Sequence, residues 1–349
     1  MFRSLRRVLA DNPLEASAPC RIDSGGTWDI KSLSLPLEGI FPTTVNVALN
    51  LRTSATLFPY EDGWVRISSE GFRGKTFPKD RFPFASAFGL FLAAISHFGF
   101  HGLEVRIKSQ SPVKSALGGS STALVALIQA LAKASVALGG RRRSRKEILH
   151  LAYHLEDGIS GGNCGMQDQA AAVYGGVHQW KWHYSHPTAP FEKTPLLDRK
   201  GQTELSRRLL VAHSGKRHVS LPTNQQWIRD FHSGRTRAGW IQANKIVQGL
   251  AWAIQEKDWH GAAKLMMQET KLRMKITPGA FIPLTKELAN QAEREGCGAR
   301  FAGAGAGGAV WAIGKIKNIQ QLKEKWEKTL APVRDARLLC CNVDPVGVK

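Results

Sequence analysis

Residues 103–108, Leu103-Glu104-Val105-Arg106-Ile107-Lys108, alternate apolar and charged side chains, the period of a strand with one buried face. The next apolar run changes spacing. Leu124, Leu127, Ile128 and Leu131 share one face of a helix predicted over 123–138. Strands are predicted at 44–49, 55–58 and 64–67, and the breaks at Pro59 and Asp62-Gly63 suggest antiparallel hairpins. A helix is predicted over 84–98, stopping at Gly99. Ser144 and Glu147 form a capping box for a helix with Ile148, Leu151, Ala152 and Leu155 on one side, ending near 156–158. Residues 1–18 read as a frayed arm. Residues 185–205, proline-rich and without a clear period, mark a boundary between domains at 19–200 and 206–349. Beyond it the pattern predicts a strand at 208–213, mostly helix over 223–275 and a helix at 284–295. Two strands joined by a glycine turn follow within 299–313, then a helix at 318–330 and a final strand at 336–342.

With 349 residues, 43% of them apolar, the chain can build two domains or one large one. No run of 18 apolar residues occurs, so no membrane span is expected. The basic start lacks the apolar stretch of a secretion signal. Five cysteines without a Cys-x-x-Cys pair argue against zinc and structural disulfides, and a cytoplasmic location is expected. The net charge of +20 attracts nucleotides, sugar phosphates, nucleic acid or acidic lipids. Its densest run, Arg141-Arg142-Arg143-Ser144-Arg145-Lys146, reads as a solvated loop. No aromatics arranged for base stacking lie nearby, so nucleic acid is not an expected partner.

Candidate chemistry gathers in four glycine-rich segments. Pro112–Ala123 places two glycines and several small hydroxyl residues between a strand and a helix start, which describes an anion cradle, most often for phosphate. The alternative is an ordinary capped helix. Ser120 and Ser121 can serve as caps or reach a metal ion. The spacings of the common phosphate loop and of the dinucleotide turn are absent. In Pro19–Asp29 a strand runs into a double glycine between Arg21 and Asp29, which suits a polar ligand or a plain turn. Gly161–Gly176 delivers Asp168 to the start of a small-residue helix, whose positive end favours an ionised carboxylate; a simple N-cap is the alternative. Glu156 lies near a helix C-terminus, where an acid is unfavourable unless a cation such as magnesium or exposure to solvent offsets it. The fourth segment is the turn Gly303–Gly308. Trp180-Lys181-Trp182-His183 reads as a strand edge, and the tryptophans of 223–275 as core.

The loop at 112–123 resembles the phosphate loop of the GHMP kinases, the galactokinase, homoserine kinase, mevalonate kinase and phosphomevalonate kinase superfamily, which reads Pro-x3-Gly-Leu-Gly-Ser-Ser-Ala-Ala. Pro112, Leu117, Gly118 and Ser120 match in register, while Ala116 replaces the first glycine and Gly119 the first serine. Pro19–Asp29 is similar to the first motif of the sugar kinases of this superfamily, nearest the fucokinase and heptose 7-phosphate kinase branch. Arg21 and Asp29 are eight apart, one fewer than usual, and the Glu-His pair of galactokinases is missing. Gly165-Met166-Gln167-Asp168-Gln169 resembles the Gly-x-x-Asp-Gln segment, and 303–308 the Gly-Ala-Gly-Gly-Gly motif. Ser214-Gly215 with Arg217 is similar to a further turn near the substrate.

The resemblance implies an α+β, two-domain GHMP-kinase fold, with an N-terminal domain of the ribosomal protein S5 domain 2-like type and a ferredoxin-like C-terminal domain. It implies an ATP- and Mg2+-dependent kinase acting on a sugar or sugar phosphate, monomeric or homodimeric. Backbone and hydroxyls of Ser115, Leu117, Gly118, Gly119, Ser120 and Ser121 would hold the ATP phosphates. Ser120 and Glu156 would hold magnesium. Asp168 and Arg21 would be catalytic, and Asp29, Gly25, Gly26, Gly303 and Gly305 would hold the sugar. Two alternatives remain: a mevalonate-pathway enzyme of the same superfamily, which the Gly-Met-Gln-Asp-Gln run disfavours, and a non-catalytic protein binding a ligand or RNA.

Overall fold

The computed structural model describes residues 4–25, 28–69, 72–217 and 220–349. The N-terminal half runs α1 (Leu5–Asp11), β1 (Leu14–Ser24), α2 (Lys31–Ser34), β2 (Thr43–Pro59), β3 (Trp64–Ser69), β4 (Phe72–Pro78), α3 (Gly89–Phe98), β5 (Leu103–Ser109), α4 (Gly119–Ala137), α5 (Arg145–Ile159), α6 (Gln167–Tyr174), β6 (Val177–Trp182), β7 (Phe191–Pro195) and α7 (Arg199–Ser206). The C-terminal half runs β8 (Leu209–Ser214), α8 (Ser220–His232), α9 (Arg237–Gln255), α10 (Trp259–Ile276), α11 (Pro283–Arg294), β9 (Gly298–Phe301), β10 (Ala309–Ile313), α12 (Ile316–Leu330) and β11 (Ala336–Leu338).

From Ser4 onward the arm expected to be frayed is ordered. Ser4 caps α1 through the Arg7 N–H, and α1 buries Val8 and Leu9 against the sheet. The two strand signals at 44–49 and 55–58 are one strand, because neither glycine nor proline interrupts the chain between Thr44 and Phe58. That long β2 organises the first sheet. One edge pairs with β1 along its length; the other pairs with β6 over Thr43–Val47 and with β5 over Thr53–Pro59. The hairpin expected between 55–58 and 64–67 does not form: β3 lies beyond β5, parallel to it. The sheet is therefore mixed, in the order β4-β3-β5-β2-β6-β7 with β1 as an extra partner of β2.

Helices α3 to α6 cover this sheet. The apolar stripe of α4 packs against β1 and β2 below and α3, α5 and α6 around it. By length and composition α4 could cross a membrane, with a mean hydropathy of 1.4, but 67% of that window is buried inside the fold. Trp180 and Trp182 are fully buried and stacked 5.9 Å apart, donating to Asn46 Oδ1 and Thr44 Oγ1, so the tryptophan run is packing. The expected structureless boundary at 185–205 instead holds β7, which pairs with β6, and α7. Five residues are enough for a strand when the partner edge is already in place.

The second sheet runs β11-β8-β10-β9, antiparallel throughout. Numbered within this half, that is the order 4-1-3-2 of a ferredoxin-like fold, with α9 to α12 supplying the crossovers. The chain then leaves this half. Val343 bridges to Leu49, Arg52 donates to Asp344 Oδ2 and to the carbonyls of Val346 and Gly347, and the Lys349 N–H reaches Ser17 O at 3.0 Å. Residues 343–349 thus complete the N-terminal sheet.

Candidate active site

The loop 112–118 makes a tight reversal, with Lys114, Ala116 and Gly118 all at positive φ, 57°, 63° and 78°. Its carbonyls are tied to neighbouring segments: Ser115 O accepts the Ala309 N–H at 2.7 Å, Ala116 O accepts Arg21 Nη1 at 2.6 Å, and Leu117 O accepts the Arg21 N–H at 3.1 Å. These bonds fasten the loop to β1 and β10. Helix α4 starts at Gly119, four residues before its apolar stripe, because Gly-Ser-Ser-Thr carries no apolar signal. Its first i→i−4 bond is Thr122 N–H to Gly118 O. The preceding N–H groups, of Gly119, Ser120 and Ser121, have no partner within the helix and carry its positive end. No side chain caps this helix, so Ser120 and Ser121 lie in its first turn rather than before it.

Asp168 stands at the second position of α6, directly across from that turn. A Cβ on Gly118 would lie 3.2 Å from Asp168 Oδ2, so α6 and the loop approach closely there, and the φ of 78° favours glycine at that position. Arg21, on β1, donates Nε to Asp168 Oδ1 at 2.7 Å, and its Nη2 lies 2.7 Å from the same oxygen. Its Nη1 lies 3.4 Å from Asp23 Oδ1. Burial alone would lower the Arg21 pKa, but Asp168 and Asp23 more than offset this and hold it above the ordinary value. Burial, with Asp23 adding, raises the Asp168 carboxyl despite the opposing pull of Arg21. The helix end favours the ionised carboxylate, as expected, while desolvation makes that carboxylate a better base.

Glu156, near the end of α5, accepts Gln169 Nε2 at 2.7 Å and Ser120 Oγ at 3.4 Å. Burial, with nearby Asp168 adding, pushes it up to about 7 against hydrogen bonds from Ser121, Gln169 and Ser120. A desolvated carboxylate facing a serine hydroxyl is suited to a hard divalent cation that completes its shell with water and phosphate oxygens. No cluster of three or more His, Cys, Asp or Glu side chains fit to hold a metal occurs among the described residues, so an all-protein cage is not on offer. The adjacent acid Asp157 pairs with Lys31 Nζ at 2.9 Å.

Two compartments meet at these residues. The larger, about 440 Å³, lies between the loop and a wall including Phe88, Phe91, Ile107 and Ser109. The smaller, about 200 Å³, is bounded by Asp29, Glu156, Asn163, Gln167, Asn224 and Trp227. Arg21, Ser120, Asp168 and Gly303 line both. The other expected residues divide. Ser115, Gly118 and Gly119 line the larger compartment and Ser121 the smaller, while Leu117 is buried beneath the loop. Gly303 gives its N–H to Asp23 Oδ1 at 2.7 Å and leaves no room for a Cβ, which would lie 3.0 Å from Ala116 O. Gly305 packs on Ala280, and Gly25 on Thr43 and Val247; neither lines a compartment. Gly26 lies outside the described residues. Gly215 packs on Arg334 O, and neither it nor Ser214 nor Arg217 lines the cleft. Asp29 reaches the smaller compartment, but its Oδ2 accepts the Gln167 N–H at 3.0 Å and so holds the start of α6. Asn224 carries no spacing that marks it, Asn163 lies within the 161–176 segment without an assigned role, and Trp227, expected as core, is buried as expected while one side of it lines the compartment. Gln169 was in view, one residue from Asp168.

Families of known proteins match the same stretches. The GHMP kinases N terminal domain matches residues 85–176, which hold the loop, Glu156 and Asp168, and the GHMP kinases C terminal domain matches residues 250–331. The chain belongs to the GHMP kinases. Among the relatives of this chain, the mevalonate kinase of Thermococcus gammatolerans is 26% identical over 292 residues, 78% of this chain and 83% of that protein. The mevalonate kinase of Thermococcus onnurineus is 26% identical over 223 residues, 62% of this chain. That match spans 61% of the onnurineus protein, less than two thirds of its length. The solved galactokinase of Lactococcus lactis, complexed with galactose, superposes on this chain with a TM-score of 0.75 at 16% identity, over 97% of this chain and 95% of that one. At such identity the likeness is one of fold.

Proposed function

We propose that this chain transfers the γ-phosphoryl group of ATP to a hydroxyl of a neutral sugar. The observation that carries this reading is the meeting of two compartments at one carboxylate, Asp168, beside a helix start rich in free N–H groups. A nucleotide in the larger compartment would place its phosphates on the N–H groups of Gly119 to Ser121 and its base against Phe88 and Phe91. Magnesium between Ser120 and Glu156 would supply neutralisation of phosphate charge. The acceptor hydroxyl, in the smaller compartment, would donate to Asp168, whose raised pKa suits it to take the proton as the new bond forms. Arg21 fixes that carboxylate from behind, so the geometry exists before substrate arrives.

The smaller compartment speaks to the acceptor. Its described lining offers three carboxylates (Asp29, Glu156 and Asp168) with amides from Asn163, Gln167 and Asn224. Its one cation, Arg21, is already held by Asp168 and Asp23. Sugar hydroxyls pair with such groups, whereas a carboxylate or phosphate on the acceptor would face like charge. This supports a neutral sugar over a sugar phosphate. Phosphorylation of mevalonate, an acid, is the second reading, favoured by the similarity to mevalonate kinases. Coupled ADP release measured with galactose, fucose, mannose, heptose 7-phosphate and mevalonate separates them. Turnover is expected with at least one neutral sugar, and mevalonate outperforming every sugar would overturn the reading.

A further inference from the structure

Behind Arg21 the charges continue. Asp23, two residues along β1 and fully buried, holds Arg300 Nη1 with Oδ2 at 2.8 Å. Arg300, on β9, gives Nε to Glu269 Oε2 at 3.0 Å. Glu269, on α10, lies 3.4 Å through Oε1 from Arg273 Nη1. Glu269, Arg273 and Arg300 are all fully buried. The guanidinium of Arg273 lies 4.2 Å from the ring centre of Trp240 and 4.6 Å from that of Trp227, and Trp227 lines the smaller compartment. Acid and base therefore alternate through six side chains: Asp168, Arg21, Asp23, Arg300, Glu269 and Arg273. The row leaves the cleft at its reacting carboxylate, crosses from one half of the molecule to the other, and returns to the acceptor wall from beneath.

Five buried charges behind a sixth at the cleft are a poor way to gain stability, since well-packed apolar side chains do as well or better. The row acts on geometry. Arg21 carries one positive charge between two carboxylates, and Asp23, with no exposure to water, would draw the guanidinium off Asp168 unless another cation held it. We propose that Arg300, which never reaches the cleft, is a positioning residue: by holding Asp23 it leaves the Arg21 fork on Asp168. Glu269 and Arg273 in turn hold Arg300 in the plane that Asp23 requires. A lysine at 300 cannot do this, because a point charge on a flexible stem cannot serve Asp23 and Glu269 with fixed geometry.

The inference rests on the phosphoryl-transfer reading for its kinetic arm, but its spectroscopic arm needs no substrate. In the full chain, the side-chain Nε–H resonance of Arg21, assigned by its loss in Arg21→Lys, reports the bond to Asp168. Arg300→Lys should displace or broaden it and lower kcat on the order of 10²-fold at unchanged KM for ATP, the scale of a small misplacement at a reacting group. Asp23→Asn/Arg300→Met, which removes both the competitor and its partner, should recover activity relative to Arg300→Met, although it strips more polar contact from the core. An unmoved Arg21 signal with kcat within twofold in Arg300→Lys overturns the proposal, as does a double variant no better than a folded Arg300→Met. If Arg300→Met does not fold, the Arg300→Lys spectrum decides. A failure to turn over any acceptor, with the Arg21 signal moving as expected, counts against the phosphoryl-transfer reading alone.

Discussion

Ala116 occupies a left-handed conformation, φ 63°, at the position where related loops carry glycine. An L-residue there costs about 1–2 kcal/mol, part of which a glycine would give back through the entropy of the unfolded chain. Ala116→Gly should raise the unfolding free energy by about 0.5–1 kcal/mol, read from urea denaturation. Its carbonyl holds Arg21 Nη1, so the substitution leaves the contact that matters to the cleft untouched. Asp168 is the opposite case, a residue whose value lies in one proton. Asp168→Asn keeps the shape and the bond from Arg21 but cannot accept that proton, and kcat in coupled ADP release should fall at least ~10²-fold. Both residues were visible in the sequence, one as a departure from a motif and one as its centre. That burial would turn Asp168 toward basicity was not, because desolvation depends on what folds over a residue.

At the scale of the element, α6 shows how a short helix can be fixed at its start from outside. Its first residue, Gln167, gives its N–H to Asp29 Oδ2 at 3.0 Å and receives Asn46 Nδ2 on its carbonyl at 3.3 Å. Asp29 thus does for α6 what a local cap does elsewhere, from 138 residues away. Asp29→Ala should cost about 1–2 kcal/mol in urea denaturation, the usual worth of a cap, and should loosen the turn that carries Asp168. Periodic elements were legible: β5, α5 with its capping box, and the β9–β10 pair follow the sequence reading closely. What failed was termination and pairing. The unity of β2 could be read from the absence of glycine and proline between Thr44 and Phe58, but the separation of β3 from it depends on which edges are free, and no spacing within one strand encodes that.

At the scale of the whole molecule, the two halves are joined by more than a linker. Arg52 clamps the returning tail through Asp344 Oδ2, Val346 O and Gly347 O while also donating to Ser17 O at 2.7 Å. Arg52→Ala should lower the unfolding free energy by about 3 kcal/mol, since it leaves a mostly buried carboxylate without its partner. The pH dependence of that free energy has a source in His178 on β6, which burial, with Lys193 nearby, lowers to about 4. Between pH 4 and the ordinary value of 6.5 the unfolded chain binds a proton that the folded one refuses. Stability is therefore full above pH 6.5 and declines as pH falls toward 4, by up to about 3 kcal/mol from this one group. His178→Gln should flatten that slope in thermal unfolding measured across the range. The two-domain plan was legible from motif order, but the tail's destination was not, because its few apolar residues carry no period.

Translation proceeds from the amino end, and a nascent chain ordinarily completes its first domain while the second is still being made. Here Ser17, Leu49 and Arg52 wait for partners at 343–349. The first domain accordingly stays one segment short of completion until the second has been made and residues 343–349 can reach back to it.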